Sequence, residues 1–203
     1  MSAHDYSDMT SAERGPGRPR EPQVDRRILD AALRLMAQGG YVRMSMDSVA
    51  AEAGVTKPTI YRRYPSKIEL ALAAIVAYCD QAPPIYTGNM RDDLIAEIGN
   101  LGRGLERPNG MAMLGTVLAE EHDTPELLAK FREHLVYPRR RAVRLIFERA
   151  CACGELRADA DLALASNMLI GAYYAQYLAG EPFADDWAVQ VVDAVLSGIR
   201  RTS

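Results

Sequence analysis

Apolar residues recur at every third or fourth position along most of the chain, the spacing that lines one face of an α-helix, and no segment alternates long enough to read as a strand. Val24, Ile28, Ala32 and Leu35 mark the inner face of a first helix that Gly39-Gly40 ends. Ser45 caps a second helix carrying Val49, Ala50 and Ala53. Gly54-Val55 stops it, and Thr56 caps a short third helix that sends Ile60 inward. Pro58 falls in the first turn of that helix, where its missing N–H had no intrahelical partner. Ser66-Lys67-Ile68-Glu69 has the form of a capping box; it launches a fourth helix through Leu70, Leu72, Ile75 and Val76, expected to reach about Ala82 and stop at Pro83-Pro84.

The pattern stays helical beyond that point. Leu94, Ile95, Ile98, Leu101 and Leu105 trace one face up to Pro108-Asn109-Gly110, and Met111 to Glu121 forms a short helix. Thr124-Pro125 opens a long one through Leu127, Leu128, Phe131, Leu135, Val143, Ile146 and Phe147, which Pro138 should kink or break and Gly154 should close. Asp159 is expected to cap a helix from Leu162, and Trp187 to Ile199 makes the last. The prediction is an all-α protein of about nine helices. It divides into a flexible arm at 1–21, a three-helix unit at 22–67 and a larger helical domain at 68–203.

Composition changes this picture in one respect. Net charge is only −3, but Arg14 to Lys67 holds 11 Lys and Arg against 5 Asp and Glu, while the remainder holds 13 against 19. The front third therefore suits a polyanion, and the acidic remainder should face away from it. With 48% hydrophobic residues in 203, the larger domain can bury a real core. No apolar run opens the chain, so no export signal is expected and the cytoplasm is the expected compartment. Three cysteines make no disulfide framework, and Cys151 and Cys153, two apart on a helix, point to different sides. Leu162 to Gly180 carries no charge over 19 residues. Ser166, Asn167, Gln176 and acidic flanks argue against a membrane span, so this reads as a helix buried on two fronts, against its own domain and against a second subunit.

The chemistry lies between Ser45 and Lys67. Two short helices joined through Gly54 form a helix-turn-helix, with Ala50 kept small where the second helix crosses it, and Val55 and Ile60 filling the angle. Lys57, Thr59, Tyr61, Arg62, Arg63 and Tyr64 are expected to face outward, a set suited to phosphates and base edges in a DNA major groove. In the arm, Arg14, Arg18 and Arg20 on a Gly/Pro-rich tether either enter a minor groove or form a solubilising tail.

These features together resemble the TetR family of transcriptional regulators. G40-Y41, S45-M46, A50, A53-G54-V55, T56-K57, T59-I60-Y61 and S66-K67 carry the resemblance, over roughly Gln23 to Ile75. It implies that Lys57 opens the recognition helix against DNA, that Tyr61 and Tyr64 brace phosphates or the core, and that Ser45 and Lys67 hold phosphates beside helix N-termini. Pro58 and the pair Arg62-Arg63 depart from the family pattern, so no base preference carries over. The resemblance also implies a homodimer on double-stranded operator DNA, most often a repressor, answering a small-molecule effector and needing no cofactor or metal. The alternative is an architectural or activating DNA-binding protein with no inducer.

In the larger domain, Met111, Met113, Phe131, His134, Tyr137, Phe147, Tyr173, Tyr174 and Tyr177 either line a site for a small apolar or aromatic molecule or pack the core. Leu162, Ala165, Leu169, Ala172, Tyr173 and Gln176, with Val189, Val192, Val195 and Leu196, are expected to form the dimer bundle. An enzyme finds little support. Gly99, Gly102 and Gly104 have the wrong spacing for a phosphate loop, and His122 among Glu120, Glu121 and Asp123 sits where neighbours on a helix end point apart.

Overall fold

A computed structural model describes residues 22–79, 82 and 84–201. The arm with Arg18 and Arg20, and the stop at Pro83, lie outside the described residues. Ten α-helices follow one another: α1 Pro22–Arg43, α2 Met46–Ala53, α3 Lys57–Arg63, α4 Lys67–Cys79, α5 Met90–Glu106, α6 Gly110–Ala119, α7 Pro125–Phe131, α8 Tyr137–Ala152, α9 Leu162–Ala179 and α10 Trp187–Ile199. One π-helical turn, Arg132–Val136, joins α7 to α8. The three form one broken rod, so the expected count of about nine is recovered, and no strand occurs among the described residues beyond a single bridge between Leu156 and Arg200.

The local signals act largely as their chemistry requires. Gly40 leaves helical geometry (φ 75°, ψ 174°) and breaks α1 before its last turn. Ser45 and Ser48 form a reciprocal capping box at the start of α2. Its other end closes with Gly54 left-handed at φ 63°, while the Gly54 and Val55 N–H groups donate to Ala51 and Ala50. Several caps differ from expectation. The Thr56 side chain bonds Thr59 at 2.9 Å instead of capping α3, and Asp161, not Asp159, caps α9 through the Ala163 and Leu164 N–H groups. Asp159 instead pairs with Arg157 at 3.3 Å. At the head of α4, Ser66 accepts from the Glu69 N–H at 3.2 Å, but the Glu69 carboxylate turns outward to Lys130 of α7 at 2.8 Å.

Pro138 explains the break after α7. Its missing N–H and its ring are incompatible with an unbroken α-helical ladder, and the chain widens by one residue so that Tyr137 N–H donates to Arg132.

Two apolar cores form. The front core joins Ile28, Ala32, Met36, Val49, Ile60, Leu70 and Ile75 from α1–α4 to Met113 and Val117 of α6 and Leu127 and Leu128 of α7. The rear core gathers Leu94, Ile98, Val143, Ile146, Phe147, Leu169, Val192 and Leu196 from α5, α8, α9 and α10. Each fully buried side chain of this size contributes about 1.5–3 kcal/mol by leaving water. The front core crosses residue 67, so α6 and α7 are fastened to the three-helix unit by the same packing that holds that unit together.

Candidate nucleic-acid interface and helical-domain site

On α3 the inward residue is Ile60, fully buried. The six residues expected to face outward, on α3 and at its C-cap Tyr64, separate into two groups. Lys57, Tyr61 and Arg62 are exposed, with Arg62 in no ion pair among the described residues. Lys57 lends its ammonium to Asp47 at 2.6 Å, tying the start of α3 to the first turn of α2; that hydrogen bond raises the lysine pKa. Thr56 and Thr59 share their hydroxyls at the same end.

Arg63 and Tyr64 belong to the second group and correct the expectation that they face outward. The Arg63 side chain is only 11% exposed and its Nε sits 2.6 Å from Asp25 Oδ1 on α1. Tyr64 packs against the front core. One residue along a helix is a rotation of about 100°, which carries Arg63 off the face that presents Arg62.

Ser45 and Lys67 flank this surface. The Ser45 hydroxyl is engaged in its own capping box. Lys67 donates to the Val42 carbonyl at 3.2 Å and lies 4.0 Å over the Tyr41 ring, with burial lowering its pKa. Both therefore fasten the loop between α1 and α2 in place. Burial raises the pKa of Tyr41, and the charge of buried Glu120 adds to that effect. Thus Glu120 at the α6–α7 turn lies within electrostatic reach of Tyr41 and Lys67, and α4 is tied to α7 by the Glu69–Lys130 pair.

In the helical domain, the residues expected to line one cavity do not converge. Met113 and Phe131 belong to the front core and Phe147 to the rear one. Tyr173 is buried, stacked on Phe183 at 4.6 Å and edge-on to Trp187 at 5.7 Å. His134 is exposed, its Nδ1 bonded to the Lys130 carbonyl at 2.8 Å, and Tyr137 and Tyr177 are exposed too. Met111 is half-buried on α6.

Tyr174 keeps a part in another grouping. It is half-buried on α9 within electrostatic reach of Arg139 of α8 and Cys79 of α4; burial raises both its pKa and that of Cys79, and Arg139 opposes each shift. Arg107 also acts on Cys79, and donates to the Tyr78 carbonyl while Tyr78 donates to the Pro108 carbonyl. On α5, Asn100 is 8% exposed, and its side chain makes no hydrogen bond among the described residues. Sequence periodicity could not bring Arg139 to Tyr174, because the two lie on different helices and Arg139 belongs to no apolar stripe, whereas Cys79 continues the stripe of Leu72, Ile75 and Val76 on α4.

The dimer residues need a larger correction. Ala165, Leu169, Val192, Val195 and Leu196 are buried in the chain's own rear core, Tyr173 is buried beside it, and Gln176 is bonded to the Pro182 carbonyl at 3.1 Å. Leu162, Ala172 and Val189 are half-buried. The opposite face of α9 is the open one, with Leu164, Met168 and Leu178 exposed. A helix apolar all round gives no sign of which side its own domain will take. No described helix is long and apolar enough to cross a membrane.

Comparison with known proteins bears directly on this arrangement. Residues 28–74 match the family described as bacterial regulatory proteins, tetR family, and residues 84–195 match the tetracyclin repressor-like C-terminal domain. The HTH-type transcriptional regulator Rv1556 of Mycobacterium tuberculosis is 34% identical over 185 residues, covering 89% of this chain and 88% of its own. A DNA-binding transcriptional repressor TetR of Mycobacteroides abscessus is 34% identical over 171 residues, 83% of this chain and 90% of its own. Among solved structures, MexZ of Pseudomonas aeruginosa matches with a TM-score of 0.68 at 26% identity, over 90% of this chain and 97% of that one. The flavonoid-responsive regulator FrrA matches with 0.70 at 23% identity, over 90% and 100%, and supports the fold alone.

Proposed function

Because the chain belongs to the TetR family of transcriptional regulators, we propose that it binds a two-fold symmetric operator as a dimer and leaves it when a small molecule enters the helical domain. The family is one of DNA-binding regulators, not of enzymes. The observation that carries the DNA reading is the exposed Arg62, in no ion pair among the described residues, beside Tyr61 and Lys57 on a seven-residue helix whose other side is locked by Ile60 and Arg63. A short helix held this firmly can enter a major groove without losing its register. Repression is favoured by the 34% identity to a named repressor over most of the chain.

A second subunit fits the open side of α9. Leu164, Met168, Gly171, Ala175 and Leu178 form a ridge there, and α10 adds the exposed small residues Ala194, Ser197 and Gly198. The effector would sit beside the half-buried Tyr174, which lies within electrostatic reach of Arg139 and Cys79, an apolar or aromatic body with a polar group for Arg139 being the matching chemistry. It would act on α4, which begins beside the recognition helix at Lys67 and ends at Cys79.

Footprinting with fluorescence anisotropy across a salt series tests this reading. A palindromic footprint and an affinity that falls steeply with salt are expected, since each neutralised phosphate releases counterions. An asymmetric footprint, or binding indifferent to salt, overturns it.

A further inference from the structure

A cavity of about 690 Å³ lies open on the surface between α8 and the N-terminal half of α9. Arg140, Arg141 and Arg144 line one side, and Tyr137, Leu145, Leu162 and Ala163 supply apolar surface. Arg144 is neutralised by Glu148 at 2.6 Å; Arg140 and Arg141 have no carboxylate partner among the described residues. The groove is therefore positive, partly apolar and uncovered. At the far end of α9 the chain presents the reverse. Gly180 turns left-handed at φ 71°, leaving the negative end of the helix dipole free, and Glu181 follows it, exposed and unpaired among the described residues. The segment after it is held rigidly, by Gln176 on the Pro182 carbonyl and by Phe183 between Tyr173 and Trp187.

The α9 ridge relates these two sites. Leu164, Gly171 and Leu178 fall at a seven-residue repeat, with the small Gly171 in the middle, where a side chain would meet nothing within 4 Å among the described residues. Two copies of α9 packed antiparallel about Gly171 place each Leu164 against the other's Leu178. In that register Glu181 of the second copy, ten residues beyond the centre, comes within about one helical turn of the level of Leu162 and Ala163, at the mouth of the arginine groove.

We propose that the α8–α9 groove is the socket for a second copy of this chain, Arg140 and Arg141 clasping Glu181 and the C-terminal end of α9 from that copy. The inference rests on the dimer reading above. Two-fold symmetry makes two identical clasps, one at each end of the α9 pair. Opposite charge at these ends also selects the antiparallel register over a parallel one, in which groove would face groove.

Sedimentation equilibrium on the full chain tests it with two variants. R140E/R141E sets an acidic groove against the native Glu181, and E181R sets a basic end against the native arginines. Each alone is expected to raise the dimer dissociation constant roughly tenfold. An equimolar mixture should recover nearly wild-type association as a heterodimer, because every groove then meets an opposite charge; that rescue also shows that both variants are folded. If both variants associate like wild type and mixing selects nothing, the clasp is overturned while the α9 dimer stands. If the wild type is a monomer at micromolar concentration, the dimer reading fails and the clasp with it. Loss of affinity for operator DNA or inorganic phosphate in R140E/R141E, with the dimer intact, would assign the groove to an anion other than a second copy and overturn the proposal.

Discussion

Arg62 and Arg63 are neighbours of identical chemistry whose surroundings give them different work. Arg62 is exposed on α3, whereas Arg63 closes a part-buried ion pair with Asp25 that fixes the recognition helix to α1. Arg62→Ala should leave the melting temperature nearly unchanged and cost roughly 1–3 kcal/mol in discrimination between operator and mismatched DNA. Arg63→Ala should instead cost about 1–3 kcal/mol of folding stability, because Asp25 would be left part-buried and unpaired. Denaturation and competition binding on the two variants separate these outcomes, and equal loss of specificity in both would refute the assignment. The cationic helix was legible in the sequence. Which cation is structural was not, since its partner lies 38 residues away.

Asp93 shows the same dependence on distant partners. It is fully buried, and burial alone would push its pKa upward. Hydrogen bonds from the Thr87 N–H and hydroxyl, from Arg149 and from the Gly88 N–H outweigh that, so the carboxyl is held below the usual range. A folded pKa below the unfolded value of about 3.9 means the contribution is present above that pH and lost as pH falls through the folded value. Asp93→Asn should therefore be less stable near neutral pH and lose less on acidification. Denaturant titrations over a pH series check this, an unchanged acid limb being the contrary result. Tyr86, pushed up to about 12 by burial and then by its bond to Glu97, stays a proton donor throughout that range.

At the scale of elements, reading the sequence succeeded where local chemistry decides and failed where packing does. Trp187–Ile199, the Ser45 cap and the Gly54 turn are determined within a few residues of themselves. The cap of α9 was misplaced by two residues because Asp159 and Asp161 are chemically alike. The orientation of α9 could not be read at all, since a helix with apolar residues on every side has no preferred face until its neighbours are known. That difference yields a prediction. Met168→Glu on the open ridge should produce monomers that keep their fold, whereas Leu169→Ala, one residue on and fully buried, should cost about 2–5 kcal/mol of stability without altering association first. Sedimentation and thermal melts on the pair distinguish the two faces, and a dimer unaffected by Met168→Glu would place the second subunit elsewhere.

For the whole molecule the decisive feature is that the front core does not respect the division between the three-helix unit and the larger helical domain. Leu127 and Leu128 of α7 and Val117 of α6 pack in one cluster with Ile28 of α1 and Leu70 of α4, and Glu69–Lys130 crosses the same boundary at 2.8 Å. A three-helix unit sharing its core in this way should melt with α6 and α7. Leu127→Ala, outside the DNA-reading helices, should accordingly lower stability by about 2–5 kcal/mol and weaken operator binding. The same continuity sets what an effector must do. If it works by shifting α4 through this core, linkage requires that whatever factor it takes from operator affinity, operator takes from effector affinity, typically about 1–3 kcal/mol of coupling. Calorimetry of a compound that releases the protein, with and without saturating operator, should show that reciprocal loss, reduced in Glu69→Gln, where the charged tie to Lys130 is gone. A releasing compound whose affinity is the same with and without operator would be competing by some route other than α4.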